Sequence, residues 1–230
     1  MKKLILLSSL SLLLVISLHA QKFGFKAGLN LSGVNSSTEL QNYQTGELLP
    51  GLNGGIVFEF APLKILGIRA EALFSQKGYS VNSNVTLDGT DAVINTSLTM
   101  NYLELPLLLR IKTGPLYFTA GPYFAYAVSG KDIASITIDG EKLAEELYSN
   151  YGQIPSNDVF KSGEFNGDNI TYSRTDAGLN FGIGLKLLKF FAEARYGVGL
   201  ANIENYNGIP SDEFTKNYTI SISAGILIGK

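Results

Sequence analysis

Apolar and polar or small side chains alternate with a period of two along this chain, in segments of about ten residues that recur eight times. Successive side chains of a β-strand point to opposite faces, so such a segment has one apolar and one polar face. A tilted strand of roughly 9–11 residues is also long enough to cross the hydrocarbon of a bilayer. After residue 20 no stretch reaches the roughly 18 consecutive apolar residues that a spanning helix needs. If this chain crosses a membrane, it does so with strands.

The phase of each segment follows from its apolar set. In residues 23–32, Phe23, Phe25, Ala27, Leu29 and Leu31 share one face, opposite Lys26, Asn30 and Ser32. Residues 52–60 set Leu52, Ile56, Phe58 and Phe60 against Asn53, Val57 and Glu59. Residues 68–78 oppose Ile68, Ala70, Ala72 and Phe74 to Arg69, Glu71, Leu73, Ser75 and Lys77. In residues 98–111 the outward set is Leu103, Leu105, Leu107, Leu109 and Ile111, and the inward set Tyr102, Glu104, Pro106, Leu108 and Arg110. Residues 116–128 are aromatic on both faces, with Leu116, Phe118, Ala120, Phe124 and Val128 taken as outward. Leu179, Phe181, Ile183, Leu185 and Leu187 then alternate with Asn180, Gly182, Gly184 and Lys186. Ala192, Ala194, Tyr196 and Val198 alternate with Glu193, Arg195 and Gly197. Last, Tyr218, Ile220, Ile222, Ala224, Ile226 and Ile228 alternate with Thr219, Ser221, Ser223 and Gly225.

The connections sort by length. Residues 61–67, 113–115 and 188–190 are short, whereas 33–51, 79–97, 129–178 and 199–217 are long and polar. Short turns at one end and long loops at the other are the pattern of outer-membrane barrels, whose short turns and termini are periplasmic. The expected fold is therefore all-β: a transmembrane antiparallel up-and-down β-barrel of about eight strands with short periplasmic turns and long extracellular loops. Within the longest loop, Leu143 and Leu147 are four apart in the stretch 140–148, a spacing that predicts one or two helical turns.

Residues 1–20 read as a secretory signal, with Lys2 and Lys3 before an apolar stretch from Leu4 to Leu18 and a small-residue cleavage site at Ala20. The expected division is a signal peptide over 1–20 and one barrel domain over 21–230. Without Lys2 and Lys3 the chain keeps 16 basic residues against 20 acidic ones, a balance that offers no basic surface for nucleic acid. There is no cysteine, and the single histidine, His19, lies in the segment to be removed. Ser-His and Cys-His nucleophilic sites and the usual zinc ligand sets are thereby excluded from the mature chain. No cofactor, metal or enzymatic role is expected.

The inward phase collects Lys26, Glu59, Arg69, Glu71, Lys77, Glu104, Arg110, Lys186, Glu193 and Arg195, six bases and four acids. An eight-stranded barrel is only wide enough for side chains to fill it. These groups are therefore expected to pair as a plug rather than line an open channel, since unpaired charges in so tight a space are costly. Loop aromatics, notably Tyr148, Tyr151, Phe160, Phe165 and Tyr172, are candidates for binding a protein or glycan, with mutual packing above the barrel as the competing reading. Asp88-Gly89-Thr90-Asp91 and Asn166-Gly167-Asp168-Asn169 lack the full spacing of a calcium loop and read as turns. Phe23, Phe60, Tyr79, Tyr102, Tyr117, Tyr126, Phe191, Tyr196 and Tyr218 sit at strand ends, as interfacial aromatic girdles do.

The run Asn101-Tyr102-Leu103-Glu104-Leu105-Pro106-Leu107-Leu108-Leu109-Arg110 resembles the PorT-like outer-membrane β-barrel domain family. So do Phe25-Lys26-Ala27-Gly28-Leu29-Asn30, Gly182-Ile183-Gly184 and Glu193-Ala194-Arg195-Tyr196. The resemblance implies an eight-stranded barrel in the bacterial outer membrane with outer-membrane lipid around it and no catalytic residue set; some relatives are linked to secretion machinery. Three roles stay open: a barrel whose loops bind a partner or ligand, a narrow pore for small solutes or ions, and a structural or assembly component of a secretion complex.

Overall fold

The computed structural model describes residues 21–36, 48–87, 90–138, 141–142, 159–160, 170–206 and 214–229. Eight long strands carry the architecture: β1 (Gln21–Ser36), β2 (Leu49–Phe60), β3 (Leu66–Leu87), β4 (Thr90–Thr113), β5 (Leu116–Ile138), β6 (Thr175–Leu187), β7 (Phe190–Gly199) and β8 (Thr215–Ile228). Each pairs antiparallel with the next in sequence, and β8 returns to β1 in a ladder from Phe23↔Ile228 to Ser36↔Thr215. The sheet is a closed up-and-down ring. Among the described residues no helix is long and apolar enough to cross a membrane.

Register keeps the two phases in step around the ring. Phe25 lies between Ile56 and Ile226, while Lys26 lies between Gly55 and Gly225. The outer surface is consequently a continuous apolar band in which Leu29, Leu105, Leu107 and Ile222 are each more than half exposed. Arg69, Tyr102, Tyr117 and Leu108, of the opposite phase, are fully buried. Exposing this band to water would be unfavourable by about 25 cal/mol for each Å², and hydrocarbon is the solvent it matches.

At the short-turn end, β2 and β3 are joined by residues 61–65, β4 and β5 by Gly114 and Pro115, and β6 and β7 by Leu188 and Lys189. The two-residue turns reverse the chain through left-handed backbone at Gly114 (φ 61°) and Leu188 (φ 56°).

The other end differs from the sequence expectation in three respects. Residues 79–97 are almost entirely strand, since β3 continues to Leu87 and β4 begins at Thr90; β5 likewise continues to Ile138. Beyond the lipid band the outward face need not be apolar, so alternation of hydrophobicity fades while the ladder continues. Outward amides and hydroxyls satisfy one another instead. Gln76 Nε2 donates to Asn101 Oδ1 (2.9 Å), Asn101 Nδ2 to Ser129 Oγ (2.9 Å), and Asn95 Nδ2 to Asn82 Oδ1.

Second, Glu141 and Lys142 are strand, paired with Ile138 and Thr137, where helical turns were expected over 140–148; residues 143–148 lie outside the described residues. The β5 ladder recruits the backbone there before a marginal short helix can. A separate two-stranded sheet pairs Ile170–Tyr172 with Glu204–Tyr206. Third, Tyr102, Tyr117 and Phe191 are buried in the interior, and Tyr79 packs there too, so they do not belong to an outward girdle. Their inward phase overrides their position near strand ends. Phe23, Tyr126 and Tyr196 do face outward.

A cation placed mid-band tests this assignment. Leu107→Arg should destabilise the barrel by about 2–4 kcal/mol in reversible unfolding from bilayers, and Ile111→Arg, nearer the turns, by distinctly less.

Candidate functional site

The interior is stacked in layers that the inward phase of each strand supplies. Nearest the short turns, Val57, Tyr117, Phe191 and Leu227 form a buried apolar cluster. Gly184 and Gly225 leave room for its rings: a Cβ at Gly184 would collide with Tyr117, and one at Gly225 with Phe191. Arg69 lies over both rings, with its guanidinium carbon 4.7 Å from the Tyr117 centroid and 5.2 Å from that of Phe191.

Arg69 is also the hub of the first charge cluster. It donates to Glu59 Oε2 through Nη2 (2.8 Å) and Nε (3.2 Å), and to Glu193 Oε2 through Nη1 (2.9 Å). Arg110 Nε is 3.2 Å from Glu59 Oε2, at an angle that makes an ion pair rather than a hydrogen bond. Arg195 grips Glu71 with a two-pronged fork, Nη1 to Oε2 at 2.9 Å and Nη2 to Oε1 at 3.0 Å, and Nη2 also donates to Glu193. Lys26 Nζ completes the group at 2.9 Å from Glu71 and 3.7 Å from Glu193.

A second cluster lies toward the loop end. Lys77 Nζ is 2.8 Å from Glu104 and 3.4 Å from Asp176, and sits 4.2 Å from the ring centroid of Tyr123. The Tyr123 hydroxyl and Asn217 Nδ2 donate to Asp176 (3.2 and 3.1 Å), while Asn180 Nδ2 donates to Glu104 (3.4 Å). Between the two clusters is about 20 Å³ of water-accessible space, touched by Lys26, Lys77, Glu104 and Arg195. That is room for a water molecule, not for a solute. Beside it, amides tie neighbouring strands together: Asn53 Nδ2 donates to Asn30 Oδ1 (2.8 Å) and Ser223 Oγ to Asn53 Oδ1 (3.0 Å).

The loop end is closed by a larger apolar cluster of Leu98, Met100, Tyr102, Tyr123, Ala125, Ala127 and Ile203, against which Val34, Tyr79, Val159, Phe160 and Tyr172 pack. Two of the five loop aromatics singled out from the sequence are thus drawn into the mouth. Arg174 lies 4.1 Å from the Phe160 centroid, and the Tyr172 and Tyr79 hydroxyls are 3.3 Å apart. Tyr148, Tyr151 and Phe165 lie outside the described residues, as do residues 88–89 and 166–169 of the two turn motifs.

Of the sequence candidates, Lys26, Glu59, Arg69, Glu71, Lys77, Glu104, Arg110, Glu193 and Arg195 are brought together as buried groups. Lys186 is only half-buried near the short turns and forms no ion pair among the described residues. The residue that sequence reasoning missed is Asp176, which is fully buried. It shares the phase of Asn180, Gly182 and Lys186, but β6 begins at Thr175 rather than near Leu179. Extending the alternation toward the N-terminus would have found it. With Asp176 included and Lys186 outside, the buried charged groups among the described residues are five bases and five acids, which balance.

Chemically this arrangement locks its carboxylates. Each of the five lies within 3.5 Å of a cation, so none is left as a base facing a substrate. No group of three or more His, Cys, Asp or Glu among the described residues is placed to hold a metal ion. Removing one member leaves its partner charged and buried: Arg195→Met should cost about 3–5 kcal/mol of stability, and the double change Arg195→Met with Glu71→Leu clearly less than the sum of the two single ones. A double-mutant cycle on reversible unfolding checks this.

The family model described as outer membrane protein beta-barrel domain matches residues 19–205 of the chain. No curated protein matches it. Similar solved structures include Ail, the attachment invasion locus protein of Yersinia pestis, at 15% identity and a TM-score of 0.41, with 90% of this chain and 98% of that one covered. OprG from Pseudomonas aeruginosa matches at 14% identity and a TM-score of 0.41, covering 94% of this chain and 99% of that one. Neisserial surface protein A matches at 11% identity and a TM-score of 0.38, covering 89% and 96%.

Proposed function

We propose that this chain, which belongs to the outer membrane protein beta-barrel domain family, works as a sealed, non-enzymatic barrel that presents its long-loop end at the cell surface as a binding platform for a protein or glycan. Its place is the bacterial outer membrane. The observation that carries the proposal is the interior: five buried bases and five buried acids fill the lumen between two apolar layers, with no more than water-sized space between the clusters. A charge-paired, capped lumen opposes ion passage because a permeating ion would have to break pairs that have no other solvation. With the interior occupied in this way, recognition falls to the long connections, and Tyr148, Tyr151 and Phe165 of the sequence between β5 and β6 are the candidate contacts.

The run from Asn101 to Arg110, which lies on β4, supports a place among the PorT-like members of the family. Export behind a cleaved leader is part of the same proposal, supported by Lys2, Lys3 and the apolar stretch that follows. Amino-terminal sequencing of protein from purified outer membranes should begin at Gln21.

Conductance tests the sealed barrel. In planar bilayers the wild-type protein should give no stable single-channel steps. Glu104→Ala, which removes the nearer of the two carboxylates paired with Lys77, should introduce only rare, noisy openings. Steady unitary steps from the wild type, altered by Glu104→Ala or Arg110→Ala, would establish the narrow pore instead. For the loops, detergent-purified protein is probed on arrays of surface glycans and proteins; signals that persist after deletion of residues 143–158 would remove that segment from the platform.

A further inference from the structure

The short-turn end of the barrel has a composition that the sealed-barrel function does not use. Lys22 on β1, Lys64 between β2 and β3, Lys112 on β4, Lys186 on β6 and Lys189 between β6 and β7 all lie there. Among the described residues the acid near them is Glu59, which is buried and already engaged by Arg69 and Arg110. Of the 20 acids in the sequence, five are interior, and none of the remaining fifteen falls within residues 61–65, 114–115 or 188–189 that make the short connections. A chain with an acidic overall balance thus gathers five lysines at one rim.

Two of these lysines occur in the same local setting. Lys64 stands between Leu63 and Ile65, and Lys189 between Leu188 and Phe190. All four apolar neighbours are strongly exposed, at 59%, 63%, 93% and 65%, and both lysines are exposed as well. An apolar-lysine-apolar turn facing bulk water would be unfavourable twice, since it hydrates two large hydrophobes and leaves the cation without a counter-charge. At a lipid surface the same triplet is matched. The hydrophobes enter the acyl boundary, and the flexible lysine stem reaches back to the phosphate layer. A soluble acidic protein would answer the charge but not the four exposed hydrophobes.

We propose that the periplasmic rim is a contact surface for the phosphate headgroups of anionic phospholipids in the inner leaflet of the outer membrane, with Lys64 and Lys189 as direct contacts and Lys22, Lys112 and Lys186 adding positive potential from the adjoining strand ends. The surface anchors the barrel at a fixed depth from its turn side and recruits an annulus of anionic lipid around that rim.

The test uses the full-length protein reconstituted in phosphatidylcholine vesicles with trace spin-labelled lipid, comparing the protein-bound fraction of labelled phosphatidylglycerol with that of labelled phosphatidylcholine by electron paramagnetic resonance. The wild type should prefer phosphatidylglycerol several-fold, and the preference should shrink at high salt. Each lysine near the surface contributes at most on the order of fivefold, so Lys64→Gln with Lys189→Gln should bring the ratio close to one. Lys64→Arg with Lys189→Arg should retain the preference, which separates charge from folding. Lys131→Gln with Lys216→Gln, at the opposite end, should leave it unchanged. Equal binding of the two lipids by the wild type would overturn the proposal, as would a preference that survives loss of the turn lysines or disappears with the loop-end pair.

Discussion

Closure of β8 onto β1 is the constraint from which the rest of this molecule follows. In hydrocarbon an unpaired backbone N–H or C=O has no water to bond, so a sheet with two free edges cannot lie there. The ladder from Phe23↔Ile228 to Ser36↔Thr215 removes both edges. Once the ring is closed, every residue faces either lipid or lumen, and the period-two pattern becomes a division between two solvents. Eight strands also fix the width of the lumen, which is then narrow enough that side chains must fill it.

A narrow lumen makes charge balance a condition of folding rather than an ornament. Lys26, Arg69, Lys77, Arg110 and Arg195 are buried with Glu59, Glu71, Glu104, Asp176 and Glu193, and none can be hydrated as it would be in bulk water. The ion pairs also do what the sheet ladder cannot, because they join strands that are not neighbours. Arg69 on β3 meets Glu193 on β7, and Arg195 on β7 meets Glu71 on β3, two crossings of the lumen between the same pair of strands. Lys77 on β3 reaches Asp176 on β6 in the same way, in addition to Glu104 on the adjacent β4. These links brace the ring across its diameter, and the apolar layers around Tyr117 and Tyr102 shield them at either end. The same pairs that brace the ring also occupy its lumen.

Much of this was legible from residue order. The outward and inward sets assigned to each segment coincide with the exposed and buried faces of all eight strands, because the lipid and lumen solvents are so different that each leaves its mark residue by residue. Legibility failed where that contrast fades. Above the lipid band, Ser80, Asn82, Asn95 and Ser97 form part of the β3–β4 ladder, yet they read as loop because an outward face in water or among headgroups carries no hydrophobic signal. Asp176 was lost for the same reason, three residues before Leu179, the first outward leucine of β6. The aromatic residues taken as girdle failed differently: Tyr102, Tyr117 and Phe191 lie near strand ends, but position along a strand does not decide facing, and phase does.

Local order alone thus decided that the chain makes strands, where each changes direction at the short-turn end, which side chains meet lipid, and that the chain has no thiol and a single imidazole, at His19. These depend on the alternation and identity of neighbouring residues, which sequence contains completely. The tertiary structure decided which cation meets which carboxylate, that the buried charges of the described residues sum to zero, that Phe160, Tyr172 and Ile203 fold over the mouth, and that five lysines share one rim. Those outcomes depend on the stagger with which the ring closes and on distances between residues more than a hundred positions apart, such as Arg69 and Glu193. No local pattern encodes a distance of that kind, since it exists only after every strand has taken its place.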